Sequence, residues 1–301
     1  MTHSIKCTKC RTDAIIFQRY SGMHLCREHF VSDFEARVKK AIRKHRWIES
    51  GDRIAVAFSG GKDSSALLYF LKKTFGMRRD LEIFAITIDE GIAGYRIPKD
   101  SEKFADKMGI DWHTASFAEE YAVTMDEIVR KKGDTRSCSF CGVLRRRLLN
   151  KTARELGATK IAFGFNLDDE AQSVLMNVFR GDVNSLTRRP VKREMMVPRI
   201  RPFINLPERE VALYSRLHVQ VREDSGCPYS HNALRGDVRT HLNEYSYWHP
   251  QTKYALVNLG EELSATGHRV KKEMTICGRC SEPCMGVCRA CQILDEVRRD
   301  D

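Results

Sequence analysis

Arg53-Ile-Ala-Val-Ala-Phe-Ser-Gly-Gly-Lys-Asp-Ser64 is the stretch whose reading decides the fold. A short apolar run enters a glycine pair and leaves as the helical pattern Ser65-Ala-Leu-Leu-Tyr-Phe-Leu71. Gly60 and Gly61 free the backbone to turn tightly, and amides that open the next helix can hold an anion at its positive dipole end. The stretch therefore predicts a strand, a nucleotide-phosphate loop and a helix. A turn that binds nothing would not call for Ser59, Asp63 and Ser64 as well. Lys62 is followed by Asp63 where a Walker A loop needs Ser or Thr, and the chain contains no G-x-G-x-x-G.

Outward from this stretch the rhythm repeats. Residues 53–58, 81–88 and 160–164 read as strands, with another near 111–116. Helical patterns cover 64–75, 101–108, 125–132, 143–156 and 169–179. The alternation predicts an α/β fold, a parallel sheet covered by helices on both faces, with ligands at the carboxyl ends of its strands. Ser59, Ile88 and Gly164 then share one edge. Asn166-Leu-Asp168-Asp169-Glu170 opens a helix directly after a strand, which puts its carboxylates near the same phosphates as Asp63. Carboxylates beside polyphosphate need an intervening Mg2+ or do acid–base work. A helix N-cap is the lesser, purely structural reading of Asp168. Residues 187–207, rich in Pro and Arg, read as a basic excursion before a helix over 208–217.

The chain has 301 residues, with 51 Lys+Arg against 40 Asp+Glu and a formal net charge of +11. Its basic residues cluster, at Arg37, Lys39, Lys40, Arg43, Lys44 and Arg46 and again at Arg180, Arg188, Arg189, Lys192, Arg193, Arg199 and Arg201. Such clusters suit a polyanion larger than a nucleotide, and equally a solvated helix face. No apolar run is long enough to span a bilayer and Met1-Thr-His-Ser-Ile-Lys6 lacks the core of a signal peptide, so a cytoplasmic protein without membrane contact is expected.

Eleven cysteines in a chain without an export signal point to metal sites instead of disulfides. Cys7-x-x-Cys10 with Cys26-x-x-His29 has the ligand types and spacing of structural zinc, as does Cys277-x-x-Cys280 with Cys288-x-x-Cys291. His24 reads as an ordinary histidine outside the first group, and Cys284, between the second pairs, either replaces one of their ligands or is a bystander, which the paired spacing favours. Cys138-Ser-Phe-Cys141 and the distant Cys227 make a third group with no evident fourth ligand. Three thiolates suit a [4Fe-4S] cluster with one open iron; a three-cysteine zinc site, a redox dithiol and plain buried thiols also fit the spacing. Arg145, Arg146 and Arg147 follow this pair, one of them aimed back at charge developing on the transferred group and the others at phosphate or solvent.

The motif S-G-G-x-D-S resembles the PP-loop of ATP pyrophosphatases. With Cys26-Arg-Glu-His29, Ile88-Asp-Glu-Gly-Ile-Ala-Gly-Tyr-Arg96, Cys138-Ser-Phe-Cys-Gly-Val-Leu-Arg-Arg146, Asn166-Leu-Asp-Asp-Glu-Ala171 and the terminal cysteine pairs, nearly the whole chain resembles the TtuA/NcsA-type tRNA 2-thiouridine synthetases. The resemblance implies a PP-loop, Rossmann-like catalytic domain over 33–265, between an N-terminal zinc finger (1–32) and a C-terminal zinc ribbon (266–301). It implies that ATP and Mg2+ adenylate a uridine C2 oxygen in tRNA and that sulfur then replaces it. Ser59, Gly60, Gly61, Lys62, Asp63, Ser64, Ile88, Gly164 and Asp169 match the ATP contacts; Asp63, Arg145 and Asp169 match catalytic positions; Cys138, Cys141 and Cys227 match the ligands of a [4Fe-4S] cluster. Two Zn2+ ions, a sulfur donor that is either a ubiquitin-like thiocarboxylate protein or free sulfide, and a homodimer complete what it implies.

Three departures stand out. Arg145 replaces the Lys of bacterial members, which favours charge stabilisation over proton donation. Phe163-Gly-Phe165-Asn166 replaces Thr-Gly-His-Asn, and Gly226 replaces an acidic residue before Cys227. The motifs resemble wobble-uridine members more than T-loop members. Other PP-loop reactions, such as cytidine thiolation or lysidine formation, fit the two zinc modules poorly, and a non-catalytic zinc-containing tRNA-binding protein would leave Asp63 and Asp169 without work.

Overall fold

A computed structural model describes residues 4–95, 98–187, 196–219, 226–230, 234–266, 275–280, 282–284 and 286–299. At its centre β3 (Arg53–Ala57) pairs in parallel with β4 (Glu82–Asp89) on one side and β6 (Lys160–Ala162) on the other. Outside these lie β5 (Trp112–Ser116) and β7 (Arg199–Ile200), giving the order β5-β4-β3-β6-β7. The chain starts in the middle and winds both ways, so the loops after β3, β4 and β6 open at one edge.

Strand alternation sends side chains to two cores. Ile54, Val56, Ala85 and Ala162 face one, whereas Ala55, Phe84, Ile86 and Ile161 face the other. The first core is closed by α1 (Arg27–His45), α2 (Lys62–Phe75) and α9 (Glu208–His218). Helix α1 buries Phe30, Phe34, Val38, Ala41 and Ile42, spaced along one helical face. The second core is closed by α4 (Phe117–Tyr121), α5 (Met125–Lys132), α6 (Ser137–Glu155) and the C-terminal α12 (Arg289–Arg298). Helix α3 (Pro98–Met108) packs beside β4 and β5. Beyond β6, α7 (Leu167–Phe179), α8 (Val183–Leu186), α10 (Leu234–Trp248) and α11 (Thr252–Thr266) form a helical flank.

Both cysteine modules are built into this body. The hairpin β1 (Ile16–Gln18) and β2 (Met23–Leu25) places Cys7, Leu25 and Cys26 in the first core, while Cys277, Cys288 and Cys291, beside β8 (Thr275–Ile276) and β9 (Pro283–Cys284), join the second. Helix α1 carries both His29 and Phe34, so residue 32 lies inside one continuous helix.

Two expectations change. Part of the Arg37 cluster is paired within the protein, Arg37 with buried Glu210, Lys39 with Glu35 and Lys44 with Glu261, while Lys40, Arg43 and Arg46 are exposed. Within the basic excursion, residues 199–200 form the fifth strand, and Arg201 pairs with Glu170; Arg188, Arg189, Lys192 and Arg193 lie outside the described residues. Among the described residues no helix is long and apolar enough to cross a membrane.

Phe34 is fully buried, stacked on Tyr214 at 4.1 Å and edge-on to Phe203 at 5.4 Å. Phe34→Ala is expected to lower unfolding free energy by about 3–5 kcal/mol in urea titrations. Met77→Ala, at a side chain 95% exposed, is expected to change it little.

Candidate active site at the carboxyl edge of the sheet

After β3 the chain turns through Gly60 at φ +76° and caps α2 with Gly61, which offers no side-chain cap. The amides of the first helical turn are left for a ligand. Ser64 Oγ accepts from Ser59 N (3.2 Å) and donates to Gly61 O (3.1 Å), stitching the loop shut. Lys62 Nζ donates to Asp63 Oδ2 and Glu208 Oε1, both at 2.9 Å, which holds the ammonium over the loop.

The loop after β6 closes against this one. A Cβ on Gly164 would lie 2.9 Å from the Asp63 carbonyl carbon and oxygen and 3.1 Å from Ser64 N, so only glycine permits the approach. Asn166 Nδ2 reaches Asp63 Oδ1 at 3.4 Å. Asn166 is also the N-cap of α7: its Oδ1 accepts from Asp168 N (3.0 Å) and Asp169 N (3.1 Å), and Asp169 Oδ2 accepts from Asn166 N (3.2 Å). The N-cap of α7 is thus Asn166 and not Asp168. Asp168 is buried instead, paired with Lys253 and accepting from Glu208 N at 2.8 Å, where it ties α7, α9 and α11 together.

Asp63 and Asp169 converge on one spot. Burial raises the Asp63 pKa despite Lys62. Burial, with the like charge of Asp63 behind it, pushes Asp169 up to about 6. Two carboxylates that resist ionising together make a ready divalent-cation site. Arg235 Nη1 donates to Asp169 O (3.1 Å) and Gln172 Oε1 (3.2 Å), which fixes the start of α10 at this corner.

One strand over, Ile88 is buried near the end of β4, and Glu90 follows it at 2% exposure. Arg145 Nη1 donates to Glu90 Oε1 at 3.2 Å. Burial works against the Arg145 charge, but Cys141 and Glu90 outweigh it and hold its pKa above the usual value. Cys138 and Cys141 do not precede the helix as expected; they lie in its first two turns, because α6 begins at Ser137 without a side-chain cap.

Cys138 Sγ donates to Tyr229 O (3.5 Å), in the turn that carries Cys227, and Tyr229 OH donates to Asp126 Oδ1 (2.6 Å) on α5. Gly226 stands at φ +74°, which explains glycine where an acidic side chain would be strained. Arg147 is committed elsewhere, paired with Glu120 and lying over the Tyr121 ring, so it is neither a phosphate nor a surface contact.

The two terminal groups have the dimensions of tetrahedral ion sites. Ligand atoms of Cys7, Cys10, Cys26 and His29 all lie within 4.8 Å of one another, as do those of Cys277, Cys280, Cys288 and Cys291. Backbone N–H groups of Lys9 and Cys288 point at Cys7 and Cys277 sulfurs, each at 3.4 Å. A zinc ion with bonds of about 2.3 Å draws thiolates to about 3.8 Å apart, and Cys10–Cys26 and Cys280–Cys288 stand at 3.6 Å. Cys284 is outside its group, donating to Gly286 O at 2.8 Å. Among the described residues Cys138, Cys141 and Cys227 do not draw together as tightly.

Sequence reading had no reason to select Glu90, Glu208, Arg235 or Lys253. Glu90 lay within a quoted motif; the other three act across long separations, and only the fold reveals them.

A parallel sheet with this glycine loop, uncapped helix start and carboxylate pair defines a PP-loop nucleotide-binding protein. Residues 30–244 match the PP-loop domain model, and residues 6–31 match the 2-thiouridine synthetase TtuA, N-terminal LIM domain. The tRNA 2-thiolation protein NcsA of Haloferax volcanii is 35% identical over 97% of this chain and 99% of its own. Cytoplasmic tRNA 2-thiolation protein 1 of Caenorhabditis elegans is 36% identical, over 95% and 79%. The structure of U34-tRNA thiolase NcsA from Methanococcus maripaludis with its [4Fe-4S] cluster superposes with a TM-score of 0.84 at 31% identity, covering 98% of this chain and 97% of that one. The chain belongs to the TtuA/NcsA family of tRNA 2-thiolation proteins.

Because the folded Asp169 pKa lies above its ordinary 3.8, its ionisation opposes folding. The loss of stability accrues between pH 4 and 6 and is complete above about pH 6. Asp169→Asn is therefore expected to raise the melting temperature at pH 8 and to leave it unchanged at pH 3.5. Screening at this partly exposed carboxyl limits the gain to roughly 1 kcal/mol, about 2–4 °C.

Proposed function

We propose that this chain is an ATP-dependent tRNA 2-thiouridine synthetase acting at the wobble uridine. One observation carries the reading: the phosphate loop after β3 and the cysteine-bearing start of α6 are linked across neighbouring strands by Glu90 and Arg145. Activation and sulfur delivery need such adjacency. The name U34-tRNA thiolase of the Methanococcus relative supports the wobble position over the T-loop.

The C2 oxygen of uridine attacks the α-phosphorus of ATP, pyrophosphate departs, and sulfur then displaces AMP from C2, so the original oxygen leaves with AMP. The Ser59–Ser64 amides and Lys62 hold the phosphates, while Ile88 and Gly164 border the nucleotide. Asp63 and Asp169 are the residues that would hold Mg2+, whose charge would let both ionise side by side. Arg145, aimed by Glu90, faces the charge that develops at the reacting centre; as a guanidinium it stabilises that charge without giving up a proton. Cys138, Cys141 and Cys227 are the residues that would hold a [4Fe-4S] cluster, whose iron without a protein ligand can carry the incoming sulfur.

Zn2+ in Cys7/Cys10/Cys26/His29 and in Cys277/Cys280/Cys288/Cys291 has a structural part, since each group contributes buried cysteines to a core. The finger (1–32), catalytic domain (33–265) and ribbon (266–301) form one cytoplasmic enzyme, working as a homodimer with tRNA and a ubiquitin-like thiocarboxylate or sulfide donor.

Asp63→Ala and Cys227→Ala are each expected to abolish 2-thiouridine in tRNA nucleosides read by mass spectrometry. Anaerobically purified Cys227→Ala should also lose the iron and sulfide, about four of each per chain, that the wild type carries. Full thiolation by both variants would leave only a tRNA-binding role and refute the catalytic proposal.

A further inference from the structure

The loop between β6 and α7 places an aromatic stack where the nucleotide and thiol sites meet. On either side of Gly164, Phe163 and Phe165 lie parallel, with ring centres 5.2 Å apart and planes within 1°. Phe163 packs against the apolar cluster that also holds Cys141, Cys227 and Tyr229. Phe165, the outer ring, is 46% exposed. A bare phenyl face one residue from the Gly164–Asp63 contact and on the thiol side of the sheet is an unused stacking surface.

Two arginines flank it. The Arg199 guanidinium lies 5.6 Å from the centre of the Phe163 ring. Arg146 lies over Gly142, where an added Cβ would meet its Nη1 at 3.2 Å, in the helix that carries Cys141. Their neighbours are neutralised, Arg145 by Glu90 and Arg147 by Glu120. Arg146 and Arg199 have no acidic partner among the described residues. Partial burial lowers the Arg199 pKa, and Arg146 lowers it further, so the two cations stand close enough to repel. An anion between them would relieve that repulsion, and the phosphate of a nucleotide whose base lies on Phe165 is such an anion.

We infer that Phe165, backed by Phe163, together with Arg146 and Arg199 forms a nucleotide subsite for the RNA substrate, in which a base stacks on Phe165 and its phosphate lies between the guanidiniums. ATP offers the same anion chemistry. Its phosphates, however, have their own cradle at Gly60–Ser64, on the far side of Gly164. The inference rests on the RNA-modifying reading above.

The test uses the full chain, an unmodified tRNA transcript across a potassium chloride series, and ATP separately. Phe165→Ala is expected to weaken tRNA binding about tenfold or more, and Phe165→Trp to restore it. Arg146→Ala combined with Arg199→Ala, which frees the one phosphate held between them, should reduce the slope of log affinity against log salt by about 0.7 to 0.9. ATP affinity is expected to be unchanged in all variants, which also reports an intact fold. Unaltered tRNA affinity and salt slope would overturn the subsite while leaving the thiolation reading intact. ATP affinity lost from the arginine variant would assign the anion to ATP, and loss of ATP and tRNA binding together in Phe165→Ala would make the ring a structural prop; either overturns the assignment. A wild-type chain that binds no tRNA would overturn both readings.

Discussion

The contact on which the rest of the site depends is the approach of Gly164 to the Asp63 carbonyl. It allows two strand-to-helix turns, after β3 and after β6, to press together without a side chain between them. Asn166 then reaches across to Asp63 while capping its own helix, so one residue sets both the start of α7 and the distance between the two carboxylates. Asp63 and Asp169 are thereby held where ionising one opposes ionising the other. A divalent cation bound there would reverse that penalty.

The sheet sets the second half of the arrangement. Because β4 lies beside β3, the buried carboxylate of Glu90 stands next to the phosphate loop and can aim Arg145 from the opposite helix layer. Cys141 shares the field of that guanidinium. The terminal cysteine modules brace the outer helices of the two cores, so their contribution lies in packing and in fixing α1, α6 and α12.

Much of this was legible in the sequence. The phosphate loop and the three inner strands announce themselves through short apolar runs ending in glycine, and both tetrahedral groups through cysteine spacing, since these signals are local. β7 was hidden because its two residues sit among arginines and prolines and owe their strand state to β6. Part of the charge on α1 is taken up by Glu210 and Glu261, which lie far along the chain and could not be read from the helix alone. Asp168 looked like a cap because it is one of several polar residues at the helix start, and only the hydrogen bonds single out Asn166. Pairing partners at long separation leave no periodic trace in a sequence.

The most direct test of the central claim, that this edge turns a uridine C2 oxygen into a leaving group on AMP, follows that oxygen atom. A tRNA substrate carrying oxygen-18 at C2 of the target uridine would be thiolated in one turnover and the released AMP weighed by mass spectrometry. One labelled oxygen in the AMP phosphate for each 2-thiouridine formed is the predicted result. Thiolated RNA accompanied by unlabelled AMP, with the label released to water, would contradict it.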